Sequence, residues 1–180
     1  MKIFLSSIGA VVLLMVGFLI WSNVSGSPSA AAVPIDGVQK YTHKDSSHTT
    51  DKVTYSETPP TGGNHAPMWA ACNGKVYDKQ VPNEQAVHSL EHGAVWITYQ
   101  PSLDAAQIGV LSKKVQPHTY AFMSPFSEQK SPIVVTAWGN QLSVQSADDP
   151  HIDQFLKQFS QGRQTPEPGA SCAAISGGMQ

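Results

Sequence analysis

The chain of 180 residues has a mass of 19.3 kDa, room for one ordinary domain with appendages. Its 11 Lys+Arg stand against 13 Asp+Glu, too little positive charge to displace counterions from a phosphate backbone, so no nucleic-acid partner is expected. An apolar content of 41% excludes a wholly disordered chain, 13 Pro and 14 Gly exclude an all-helical one, and charged residues, at 13%, are scarce beside the roughly 25% of typical soluble domains.

Part of that scarcity lies at the front. Ile3 to Trp21 carries no charge, and a helix of that length, at about 1.5 Å per residue, nearly crosses a hydrocarbon core of about 30 Å. Lys2 precedes the run and Trp21 closes it as an interfacial aromatic. Residues 1–21 therefore read as a transmembrane anchor with a cytoplasmic N-terminus and an extracytoplasmic domain at the cell membrane. A secretory signal cut near Ala30-Ala31-Ala32 is the alternative, and it would leave the domain secreted. The part after Trp21 loses only Lys2 and keeps every acidic residue. Being mildly acidic, it has no electrostatic reason to lie on an anionic membrane.

Residues 22–51 are small and polar, contain Pro28 and Pro34, and show no hydrophobic period, which reads as a flexible tether. Residues 52–175 are expected to form the extracytoplasmic globular domain, enough chain for one core and not for two. Pro59, Pro60, Gly62, Gly63, Pro67, Gly74 and Pro82 predict a structured loop with at most a short strand at Val53–Tyr55. Asn83 is a good N-cap and Gly93 a natural stop, predicting a short helix over Glu84–His92. Ala94–Tyr99 is β-branched and aromatic, the clearest strand. Leu103 to Val115 predicts a second helix, stopped by Pro117. Tyr120–Met123, Ile133–Trp138 and Leu142–Val144 read as strands, the last two joined by a Gly139-Asn140 turn. Pro150 opens a last helix with Ile152, Phe155, Leu156 and Phe159 as its apolar stripe. The economical architecture is α+β: a single small domain with one mostly antiparallel or mixed sheet of about four strands, helices packed on one face, and a long irregular N-terminal arm.

Cys72 and Cys172 lie near the two ends of the domain. In an oxidising compartment such a pair is more often bridged than free. Metal thiolates and a free-thiol role are the alternatives, and neither Cys sits in a C-x-x-C spacing.

Of the seven His, His43 and His48 fall in the tether and read as solvated. His151 reads as a surface residue at a helix start, and His118 as either a turn residue or a site neighbour. His88 and His92 are four apart in HSLEHG and share a face in a helix or a strand, with Glu91 beside them. His65, in PPTGGNHAPMW, rides a loop able to bring a third ligand to that pair. Met68 and Met123 are the nearby thioethers, Met123 on a strand. Imidazole is the commonest metal ligand once thiols are bridged. His65, His88, His92, Glu91 and Met123 are thus the candidate ligands, with copper ahead of zinc if the thioether takes part and zinc if three His bind with water. Structural histidines hydrogen-bonded to Glu91 are the competing reading. The string also fits H-x-x-E-H, in which Glu91 would be the general base of a metal-dependent hydrolase. Its context is wrong for that, because Gly93 ends the helix at once and the downstream carboxylate, Glu167, lies in a Pro/Gly tail. No nucleophile elbow, phosphate loop or dinucleotide pattern is present. Trp69, Trp96 and Trp138 read as core or pocket walls.

Taken together, PPTGGNHAPMW, CNGKVYDKQVPNEQAVHSLEHGAVWITYQP, SPIVVTAWG and TPEPGASC resemble the bacterial domain of unknown function family 3105, whose members are exported or membrane-anchored. The resemblance covers roughly Tyr55 to Cys172. It implies an extracytoplasmic domain with His65, His88, Glu91 and His92 as motif residues and Cys72–Cys172 as a pair, and it implies no metal, substrate or partner. Three functions are compatible with the residues. The first is a membrane-tethered metal-binding domain, more in keeping with a non-enzyme than an enzyme. The second is a non-catalytic module that docks a cell-envelope protein, and the third is the hydrolase.

Overall fold

In the computed structural model, which describes residues 33–173, strand β3 (Val95–Tyr99) is buried at all five positions. A strand without polar alternation must be covered on both faces, and that is its position. The sheet has six strands in the order β1-β6-β5-β3-β4-β2. They are β1 (Gln39–Lys40), β2 (Asn73–Val76), β3, β4 (Ala121–Pro125), β5 (Ile133–Ala137) and β6 (Asn140–Val144). β2, β4 and β3 run parallel, whereas β3–β5, β5–β6 and β6–β1 are antiparallel. Among the described residues three helices accompany it: α1 (Asn83–Glu91), α2 (Ala105–Val115) and α3 (Pro150–Phe159).

The α+β class and the mixed sheet match the expectation; the number of strands does not. The two additional strands are short and polar. β1 reads Gln-Lys and β2 reads Asn-Gly-Lys-Val, with a register irregularity at Gly74. Neither carries a period of its own, because each is recruited as an edge by a neighbour that is already buried. No strand forms at Val53–Tyr55.

The helices do not share one face either. Val95, Ile97 and Tyr99 pack with Leu111 and Val115 of α2 and with Ile152, Phe155, Leu156 and Phe159 of α3. Trp96 points the other way, into a cluster with Ala86 and Leu90 of α1, Phe122, Phe126 and Cys72. Its ring stacks on Phe122 at 5.7 Å and 6°, and Nε1 donates to Ser124 Oγ at 3.0 Å. Chain direction explains the split. The path from β2 through α1 to β3 crosses β4 one way, and the path from β3 through α2 to β4 returns. Crossovers of one hand that reverse direction must change face.

Local signals hold at the helix ends. Asp104 and Asp149 are N-caps, accepting from Gln107 N and His151 N at 2.9 Å each. At α1 the cap is Pro82 and Asn83 is the first helical residue.

The segment expected as tether up to Asp51 is, from Pro34 on, part of the compact unit. Ile35 enters the α2/α3-side core, Gln39–Lys40 pair with Gln141–Asn140, and Tyr41 N donates to Gly139 O at 2.8 Å. His48 bridges to His65. Docking through backbone hydrogen bonds and two apolar contacts, Ile35 and Val38, leaves no hydrophobic period to read. Residues 22–32 of that tether, and the apolar run Ile3–Trp21, lie outside the described residues. Among those described, no helix is long and apolar enough to cross a membrane.

Candidate metal centre

Helix α1 is short because Gly93 ends it, at φ +90°. A Cβ at that position would run into the Gln161 side chain and stand 2.8 Å from the Thr165 methyl, so the sharp exit into β3 requires glycine. Ala86 and Leu90 hold the helix in the core, and His88, Ser89 and Glu91 are buried as well. The Ser89 hydroxyl accepts from Ala70 N at 3.1 Å and donates to Ala70 O at 2.8 Å, stapling the Pro/Gly-rich loop to the helix. Ala66 N adds a bond to Glu84 O at 3.2 Å. The loop thereby delivers His65, fully buried, over the end of α1.

His48, His65, His88 and Glu91 converge there, each offering one ligand atom, all within 4.8 Å of one another. Ligand atoms of a tetrahedral centre with bonds of about 2.0–2.1 Å lie roughly 3.4 Å apart, so the group is slightly open and closes with small side-chain shifts. Ring centroids are 4.9 Å apart for His65–His88 and His48–His65, and 4.8 Å for His48–His88. Trp138 stands edge-on to His65 at 6.2 Å, and Trp69 lies 5.4 Å from His88 and 4.8 Å from His92. Trp69 and Trp138 are therefore walls of this site, whereas Trp96 is core.

The hydrogen bonds fix the tautomers. His65 Nδ1 lies 2.9 Å from Gly63 O, His88 Nδ1 2.6 Å from Ala66 O, and His92 Nδ1 2.7 Å from Ser171 O. A carbonyl only accepts, so each Nδ1 carries a ring N–H, which in a neutral ring leaves Nε2 with the lone pair. Metal-bound imidazoles show this same arrangement, the far nitrogen donating to a fixed oxygen. His65 Nε2, fully buried, faces Glu91 Oε2 at 2.8 Å. With Glu91 ionised and the Nε2 lone pair free, two electron-pair donors face each other. Such a contact requires a positive centre between them, a proton or a metal ion.

Burial and the neighbouring His92, His65 and His48 together pull the His88 pKa down to about 4, against the bond to Ala66 O. Burial lowers that of His92 too. Both are neutral at physiological pH, the form that ligates. Burial pushes the Glu91 carboxyl up, with His65 pulling the other way.

Of the five candidate ligands, the structure unites His65, His88 and Glu91. His92 is adjacent, its ring centroid 4.5 Å from that of His88, but it caps α1 and its Nε2 faces Glu167 Oε2 at 3.9 Å. Met123 is on the wrong face. In register with Ile97, it lies in the α2/α3-side core, and strand alternation gives the α1 side to Phe122. No thioether therefore joins the group from that strand. His48 is the converging residue that sequence reasoning placed among solvated residues. Its place depends on the bridge to His65, across two irregular segments that carry no local signal. His43 hydrogen-bonds Thr61 Oγ1 at 2.8 Å, and His151 binds Asp149.

Cys72 and Cys172 form a disulfide, which consumes both thiols. It fastens the C-terminal tail beside the centre. Glu167 N donates to Glu91 O at 3.0 Å, Cys72 N to Cys172 O at 2.9 Å, and Trp69 Nε1 to Ala173 O at 2.9 Å.

No curated protein and no solved structure matches the chain. A family model described as "Protein of unknown function (DUF3105)" matches residues 46–174, a span that includes all four converging residues and both cysteines. Over most of its length, then, and with this centre inside the matched region, the chain belongs to the DUF3105 family.

Proposed function

We propose that this domain binds one divalent transition-metal ion through His48, His65, His88 and Glu91, zinc being the ion that the donor set suits best. The observation that carries the reading is the facing pair His65 Nε2 and Glu91 Oε2 at 2.8 Å, with Nδ1 of His65 and of His88 committed to backbone carbonyls. Three imidazoles and a carboxylate form a borderline donor set for Zn²⁺, with Cu²⁺ as its competitor by intrinsic affinity; Cu⁺ would want the soft ligand that Met123 does not supply. The uncharged Ile3–Trp21 run supports holding the domain at the outer face of the cell membrane, and the disulfide suits an oxidising compartment.

A binding rather than hydrolytic role follows from the position of Glu91. In H-x-x-E-H catalysis both His bind metal and the Glu stays free as base. Here Glu91 is inside the group and His92 is turned toward Glu167. Titration of the full-length protein with Zn²⁺ tests the proposal. One ion per chain is expected, with tight binding lost in His88→Ala and a higher melting temperature with the ion bound. Affinity unchanged in His88→Ala would remove it.

A further inference from the structure

The four converging residues are unequal. His65, His88 and Glu91 are at most 4% exposed and belong to α1 or to the loop stapled onto it. The His48 side chain is 51% exposed, on a stretch between two fixed points: Tyr41 N bonded to Gly139 O, and Val53 N bonded to Glu84 Oε1 at 3.0 Å. Between them, residues 42–51 put no side chain into either core cluster. What holds the His48 stretch against the site is polar: Thr49 N to His65 O at 2.8 Å, His65 N to Ser47 O at 3.2 Å, Ser47 N to Asn64 Oδ1 at 3.0 Å and His43 to Thr61 Oγ1 at 2.8 Å, with the His48 ring against those of His65 and His88 and the His43 ring edge-on to Trp138. Each such polar contact contributes a net of only about 0.5–1.5 kcal/mol, and the stretch adds no apolar burial of its own, so its docking is weakly held.

We infer that a metal ion bound at the centre clamps the 42–51 segment to the domain through His48, making segment docking and metal occupancy one linked equilibrium. The inference rests on the metal reading above. His48 is the only converging residue carried by this segment, so an ion that gains a bond from it binds the docked form more tightly than the undocked form. A ligand shifts such an equilibrium by its differential affinity, and the coupling is reciprocal: the factor by which the ion favours docking equals the factor by which undocking weakens the ion. The bridge between His48 and His65 places the segment's backbone bonds directly beside the coordination bond that would reinforce them.

The test is amide hydrogen exchange of the full-length protein with and without Zn²⁺ alone, read in peptides covering 42–51. With zinc, exchange at Thr49 and its neighbours slows by about tenfold or more, while Tyr41, held by Gly139, is unchanged. His48 is half-exposed, so His48→Ala leaves the core intact; it retains zinc on three ligands, weakened by the same factor, and loses the slowing. Zinc bound without slowing in the wild type, or slowing undiminished in His48→Ala, overturns the clamp and leaves the metal site standing. Absence of zinc binding in the wild type overturns the metal reading, and the clamp with it.

Discussion

The disulfide gives the sharpest quantitative test of how the fold is held. It closes a loop of 100 residues, and on the chain-entropy account a loop of about that length restricts the unfolded chain by about 4.7 kcal/mol. Replacing both cysteines, Cys72→Ala with Cys172→Ala, removes that restriction without leaving a buried hydroxyl, since both sites are buried. A loss of about 3–5 kcal/mol is expected, or a drop of about 10 °C or more in melting temperature for a domain of this size. Urea denaturation followed by circular dichroism measures it, and the slope with urea should rise because the uncrosslinked unfolded chain exposes more surface. The tail contacts the centre through His92 and the Glu91 carbonyl rather than through any of the four ligand atoms, so zinc stoichiometry should survive. A loss under about 1 kcal/mol would refute the argument that long-range closure stabilises the fold, and loss of zinc with the fold intact would refute the assignment of ligands.

Three further outcomes follow. Glu91→Gln should weaken zinc by at least about 100-fold while leaving the metal-free protein within about 1 kcal/mol in stability, because the amide N–H can still bond to His65 Nε2 where the carboxyl did; paired zinc titrations and thermal melts would show both. Metal-free stability should be level above about pH 6.5 and fall as pH drops toward 4, since His88 is held near 4 by burial and by His92, His65 and His48, below its ordinary 6.5. The unfolded chain then binds the extra proton first. His92 acts in the same direction and Glu91 in the opposite one; urea titrations from pH 8 to 4.5 that gave a flat profile would contradict buried neutral imidazoles. Met123→Leu should leave zinc and Cu⁺ affinity unchanged and cost less than about 1.5 kcal/mol, whereas a lost Cu⁺ site would restore the thioether to the centre.

What could be read along the chain was whatever lies within one turn or one strand. Gly93 after His92, Asp149 before Pro150, the stripe Ile152-Phe155-Leu156-Phe159 and the β-branched run before Pro101 are local signals, and the elements they predict form within a residue or two of their expected ends. His88 and Glu91 were legible as one site for the same reason, being three apart on a single helix. Tertiary structure decided everything that depends on which face a side chain meets. The reversal of crossover direction split the helices between the two faces and sent Met123 into the opposite core from the histidines it stands near in composition. Backbone pairing at an exposed edge, which has no side-chain period, turned an apparent tether into β1 and carried His48 to His65. A sequence specifies its periodicities directly, but convergence of four ligands from a helix, a loop and a distant arm is a property of the folded chain's path, and only the packed sheet fixes that path.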